Sequence, residues 1–155
     1  MTCVSQGGQL VLSGTIDETA KLVDLLSYAR DGRVTLDLGG VVFINSPGVR
    51  AWIMMQQVAA SQRIAVELRR VAEPIVHQLN IVPAARGVSL VSSFFAPYVC
   101  EECDREQVML LDVRLHGADL ARMRPPSMKC PDCRRDMQFA HPPELYFTFL
   151  AAPSA

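Results

Sequence analysis

The sequence predicts an α/β fold built on a mostly parallel sheet with helices, followed by a small β-rich module that gathers four of the cysteines. Three observations carry this. Strand-like and helix-like segments alternate from residue 2 to about residue 92, and the later strands are short apolar runs, the pattern of parallel strands under helices. Of the 155 residues, 50% are hydrophobic and 20% charged, enough to build a core. The alternation then gives way to two Cys-x-x-Cys pairs, Cys100/Cys103 and Cys130/Cys133. The expected domains are residues 1–97 and 98–155, divided near Pro97.

Gly7-Gly8 reads as a two-residue turn between strands Thr2–Ser5 and Gln9–Ser13. Cys3, in the first of these, reads as a small buried apolar residue. Asp17 is placed as an N-cap, and Glu18–Arg30 reads as an amphipathic helix with Leu22, Leu25, Leu26 and Ala29 on one face, ended by Asp31-Gly32. Arg33–Leu38 is a strand, and Gly39-Gly40 turns the chain into the apolar run Val41–Ile44. Ser46-Pro47 opens a second helix to about Ser61. Ser46 is placed to cap it, and Pro47 stands at the first helical position, where its missing N–H costs nothing. Ile64–Leu68 is a strand, Glu73–Leu79 a short helix and Val88–Ser92 a last strand. Further on, Val108–Val113 and Met137–Phe139 suit strands, and His116–Ser127 reads as a linker stopped by Pro125-Pro126. Leu145–Leu150 is apolar on both faces and reads as a late strand covered on both sides.

Two Cys-x-x-Cys pairs are the ligand set of a structural zinc ribbon. Two intervening residues let both sulfurs of a pair face one cation, and two such knuckles complete a tetrahedron. A closed four-thiolate shell leaves no position for substrate, so Cys100, Cys103, Cys130 and Cys133 are expected to hold one structural Zn2+. A redox dithiol is the alternative. His116 and His141 are spare ligands for a shell already closed, and His77 reads as structural.

Net charge is -1. Residues 1–97 carry 8 basic and 7 acidic side chains, and residues 98–155 carry 7 and 9. Neither part is a basic patch, which argues against nucleic acid. Arg134 and Arg135, with Tyr98, Phe139 and Tyr146, could form a small stacking surface, but Glu101, Glu102, Asp104 and Glu106 oppose it. No stretch suits a membrane span. The first residues lack the charge and apolar core of a secretory signal, and unbridged cysteine pairs fit a reducing cytoplasm.

Three pieces carry a resemblance over residues 1–92: Leu12-Ser13-Gly14-Thr15-Ile16-Asp17, Val34-Thr35-Leu36-Asp37-Leu38, and Val42-Phe43-Ile44-Asn45-Ser46-Pro47-Gly48-Val49. Together they resemble the STAS domain (sulphate transporter and anti-sigma-factor antagonist). The last piece is similar to that family's signature loop, where an apolar run meets Asp-Ser-Ser-Gly or Asp-Ser-Thr-Gly. The resemblance implies a non-enzymatic bacterial regulatory module in signalling. Its protein partner would be a histidine-kinase-like anti-sigma factor or serine kinase, and the serine after the loop aspartate, here Ser46, would be its phosphorylation switch. Asn45 stands where the family has an acid, and Pro47 replaces a hydroxyl residue. An ordinary N-cap remains the other reading of Ser46. Asp37 matches the family's central-strand aspartate, expected to support the loop.

The expected partner surface is Asn45, Pro47, Gly48, Val49, Arg50, Trp52 and Ile53. On the second helix Arg50, Gln57 and Ser61 share a polar arc opposite Trp52, Met55 and Ala59. The apolar arc exceeds one sheet contact. Either the cysteine module covers the excess, or Trp52 and the methionines anchor a partner. The family's last helix is not readable here, and the cysteine module is expected to take its place. A scaffolding component without a switch, self-association included, is the alternative function.

Overall fold

The computed structural model describes residues 1–150. The glycine turn forms as expected: Gly7 and Gly8 both take positive φ, and β1 (Thr2–Gln6) pairs antiparallel with β2 (Gln9–Ile16). Cys3 lies on this edge strand but is exposed, because nothing covers either face of β1.

The expected helix Glu18–Arg30 does not form. The Asp17 carboxylate accepts from the backbone N–H of Thr19 at 2.9 Å and from its hydroxyl, which ties the chain into a turn. These bonds also lower the Asp17 pKa. A 3-10 helix over Val23–Tyr28 follows, and Leu22, Leu25 and Leu26 are still buried. Asp31 and Gly32, both at positive φ, are a tight turn in which Arg30 and Arg33 exchange backbone hydrogen bonds, not a helix cap.

The chain then runs through Gly39-Gly40 without turning. β3 spans Arg33–Ile44 as one strand, parallel to β2. A side chain at Gly40 would come within 2.7 Å of Ser13 Cβ, beside a register shift that puts an extra residue into β3, so close backbone approach is what calls for glycine there. α1 (Ser46–Ser61), β4 (Ala65–Arg69), α2 (Glu73–Ile81), α3 (Pro83–Arg86) and β5 (Ser89–Val91) complete the first unit. Its mixed sheet has the order β1-β2-β3-β4-β5, parallel from β2 onward. The apolar residues of one face, Leu10, Leu12, Val34, Leu36, Val66 and Leu68, form the core with Trp52 and Met55 of α1 and Ile75 and Val76 of α2.

A second, β-rich sheet begins at Ser93. β6 (Ser93–Cys100) runs unbroken through Pro97 and pairs with β7 (Arg105–Asp112). The segment expected as a linker forms α4 (Val113–Ala121), capped by Asp112, whose carboxylate accepts from Arg114 N–H at 2.8 Å. β8 (Met128–Lys129) and β9 (Asp136–Phe139) give the order β7-β6-β9-β8. Leu145–Leu150 is not a strand. Pro142 and Pro143 lack ladder donors, and the segment closes into α5 (Pro143–Tyr146) and a 3-10 turn, Thr148–Leu150. Tyr146, Phe147 and Phe149 are buried, but Leu145 is 72% exposed.

The two units share packing. Val71, just after β4, bridges Phe94 of β6. Phe94 is fully buried, with ring centroids of Phe149 at 5.1 Å and Phe147 at 6.0 Å. Asn80 of α2 donates to Tyr146 O at 2.8 Å and accepts from Phe149 N–H at 2.9 Å. The second unit therefore docks on α2 rather than on α1. Asn80→Ala removes both docking bonds while leaving the cysteines untouched. It should lower the unfolding free energy by about 1–3 kcal/mol in urea titrations and speed proteolysis after residue 140.

Candidate functional site

The cysteine group is built from two similar knuckles. Cys100 ends β6, the chain turns through Glu101–Asp104 with Asp104 at positive φ, and Arg105 starts β7. Cys130 follows β8, Arg134 takes positive φ, and Cys130 N–H donates to Arg135 O at 2.8 Å. The β6–β7 and β8–β9 hairpins carry the two knuckles, and the β6–β9 pairing brings them together. Cys100 Sγ lies 3.5 Å from Cys133 Sγ, and Cys103 Sγ lies 3.9 Å from Cys130 Sγ. All four sulfurs lie within 4.8 Å of one another.

That geometry fits a cation. A tetrahedron with metal–sulfur bonds of about 2.3 Å has sulfur–sulfur edges of about 3.8 Å. Cys100 and Cys130 are buried, Cys103 is half-buried and Cys133 exposed. These four can hold a metal ion, and neither His116 nor His141 belongs to the group.

The surrounding polar groups are arranged reciprocally. Arg105, after the first knuckle, pairs with Asp132 inside the second, and Arg135, after the second, pairs with Glu102 inside the first at 3.3 Å. Both pairs are exposed, so they align the knuckles more than they stabilise them. Gln107 Nε2 points at Cys130 Sγ from 3.6 Å and donates to Asp132 at 3.3 Å. The sequence signal for these supports was legible but unused: each pair reads Cys-x-x-Cys-x-Arg, with an acid between the cysteines.

The crowded sulfurs differ in acidity. The Cys103 thiol is pushed up to about 12, first by its hydrogen bond to Cys133 and then by burial. Cys130 is lowered, chiefly by the backbone N–H of Cys133.

The loop Asn45–Gly48 joins β3 to α1. Asn45, not Ser46, is the N-cap: its Oδ1 accepts from Gly48 N–H at 2.8 Å. Its Nδ2 donates to Glu18 at 3.2 Å, and its backbone N–H donates to Ile16 O at 3.2 Å. Gly48 presses against β2, and a Cβ there would lie 2.2 Å from Ile16 O. Ser46 and Arg50 are exposed, Pro47, Val49 and Ile53 half-buried, and Gly48 buried.

Trp52 is not on this surface. It is 1% exposed and its Nε1–H donates to Ala85 O at 2.8 Å, so it serves the core. The 3-10 helix and α3 flank α1 where a cysteine module or a partner was expected; Met54, 58% exposed, is its large apolar residue facing solvent. Asp37 does not reach the loop. It is buried within β3, accepting from Gly39 N–H at 2.9 Å and pairing with Arg70 at 3.3 Å. His77 is exposed, its ring edge-on to Tyr146.

No helix among the described residues is long and apolar enough to cross a membrane. A cation takes cysteine as thiolate, so loading expels the protons still on sulfur. Calorimetric titration with Zn2+ at pH 7, in buffers of different ionisation enthalpy, should report release of roughly three to four protons per ion, and the affinity should fall as pH falls. No family model, no curated protein and no solved structure matches the chain.

Proposed function

We propose that the chain is a non-enzymatic bacterial regulatory module of STAS type. It binds a protein partner through the Asn45–Gly48 loop and the exposed side of α1, and Ser46 is its switch. One structural Zn2+ on Cys100, Cys103, Cys130 and Cys133 holds the second sheet. The partner is a histidine-kinase-like anti-sigma factor or serine kinase, met in the cytoplasm.

The observation that carries this reading is the position of the Ser46 hydroxyl. Asn45 supplies the cap, so Ser46 is exposed at the first turn with no structural duty. Modification there costs the fold little. Pro47 has no N–H and the Gly48 N–H is already used by Asn45, so a phosphate is not drawn into the helix terminus. Its charge of about -2 stays at the surface, beside exposed Arg50 and near the exposed apolar residues Val42 and Phe43. A partner packed on those apolar residues is repelled.

Pro47 and Asn45 favour the second reading, a component of an assembly without a switch, because both depart from the residues a partner kinase meets in the resembling family. Zinc is the favoured ion because four thiolates at tetrahedral spacing suit it and leave no open position.

Pull-down with wild-type chain, Ser46→Ala and Ser46→Asp separates the readings. The switch predicts that Ser46→Asp loses an ATPase partner by about tenfold or more while Ser46→Ala retains it; a partner set indifferent to Ser46 leaves the scaffold reading. Native intact mass should show one zinc. Chelation should lower the melting temperature of the whole chain by roughly 10 °C or more, because β6 links the cluster to the core. An unchanged main transition refutes that coupling.

A further inference from the structure

A regular open edge lies in the second sheet. β7 stands at the end of the order β7-β6-β9-β8. It pairs with β6 along its whole length, from Ser93↔Asp112 to Cys100↔Arg105, with no register shift. The far side of β6 tells which backbone groups of β7 are free. Phe95 N–H donates to Val71 O, Val71 N–H donates to Ser93 O, and Ala140 N–H donates to Pro97 O. Ser93, Phe95 and Pro97 thus turn their backbone groups away from β7. In an antiparallel pair bonded and non-bonded positions alternate, so Gln107, Met109 and Leu111 hold the β6–β7 ladder. The N–H and C=O groups of Glu106, Val108 and Leu110 point outward, and none has a backbone partner among the described residues.

The side chains of the outward residues share one face of the strand. In order they read Glu106, Val108, Leu110, Asp112: acid, apolar, apolar, acid. Val108 and Leu110 are 50% and 44% exposed. Glu106 is exposed and takes part in none of the ion pairs among the described residues. Asp112 caps α4 through Oδ1, and its ion pair with exposed Arg114 is long, at 3.9 Å.

We infer that this edge binds an extended segment of a partner protein, which adds as a strand beside β7 and sets a Lys or Arg against Glu106, two apolar side chains against Val108 and Leu110, and a second Lys or Arg against Asp112. The open main chain selects an extended occupant. Native edges are blunted by charge, proline or cover, and here charge guards only the two ends. Those charges choose the occupant. A second copy, paired antiparallel about a two-fold axis at Met109, would match the whole edge but set Glu106 against Asp112 at both ends. Like charges directly opposite are destabilising. Sliding that register moves an acid onto Val108 or Leu110 instead. A segment that reads basic-x-apolar-x-apolar-x-basic meets every position, because alternation puts its four matching side chains on one face. None of these residues belongs to the Asn45–Gly48 loop, so the inference stands apart from a switch at Ser46.

The test uses the zinc-loaded full chain and a displayed random peptide library of about twelve residues. Selection should enrich peptides in which two alternate aliphatic or aromatic residues are bracketed by Lys or Arg. The tightest of them, synthesised, should slow amide exchange at Glu106, Val108 and Leu110 and change little at Gln107, Met109 and Leu111, whose N–H groups already face β6. Val108→Pro removes an outward N–H and no β6–β7 bond. It should keep the thermal transition and weaken binding at least about tenfold. Glu106→Lys should weaken the same peptide comparably, and a peptide with Glu at the facing end should recover most of the loss. Ser46→Asp should leave the affinity unchanged. The proposal is overturned if no such peptide is enriched, if protection falls on Thr2–Gln6 or anywhere other than the outward amides of β7, or if the charge exchange gives no recovery. It is equally overturned if the chain alone dimerises with the Glu106, Val108 and Leu110 amides already protected.

Discussion

The burial of Phe94 is the contact on which the arrangement of the two units rests. Its strand begins at the bridge to Val71, beside the last residues of β4, and ends at Cys100 in the cysteine group. Its ring is enclosed by Tyr146, Phe147 and Phe149, all drawn from the far end of the described chain. A fully buried phenylalanine of this kind contributes about 3–5 kcal/mol against truncation to alanine. One strand thus couples the ordering of four sulfurs to the packing of α2, and Asn80 repeats the coupling through hydrogen bonds to the same aromatic segment. The cysteine group is in this sense part of the fold's closure, and the absence of an open position in a four-thiolate shell agrees with that role.

A different constraint shapes the loop. Gly48 sits where any side chain would strike the Ile16 carbonyl, and Asn45 bonds forward to Gly48, back to Ile16 and sideways to Glu18. These bonds lock the entry to α1 and leave Ser46 outside the network. Exposed Val42 and Phe43 precede the loop, Ser46 is exposed within it and Arg50 follows it. Buried Trp52 lies behind them and supports the helix through Ala85.

The order of most strands and helices, the Gly7-Gly8 hairpin, the Ser46–Ser61 helix and the four-sulfur group were legible in the residues. Where expectation and structure part, a specific local bond or neighbour decides. Asp17 holds Thr19 in a turn, and the leucines that follow are buried from a 3-10 helix and not from the α-helix their spacing supports. Gly39-Gly40 looks like a turn, but the second glycine is there to let β2 pass close by. Leu145–Leu150 alternates like a strand with both faces apolar. Two prolines and the aromatic pocket around Phe94 turn it into helical turns instead. Arg105, Gln107 and Arg135 support the cysteines through partners distant in sequence, which spacing alone does not pair.

By itself the sequence determined which groups are available: four thiols in two pairs, a proline at the start of a helix, a hydroxyl beside it, and apolar runs of strand length. Such properties are local, set by covalent spacing, backbone preference and side-chain chemistry. Tertiary structure alone decided which of them meet and which stay exposed. It gave the cap to Asn45 and freed Ser46, buried Trp52 and left Val42 and Phe43 outside, and placed the second sheet on α2 rather than α1. Those outcomes depend on long-range burial and on which backbone edges find partners, and neither is encoded in any short window of residues.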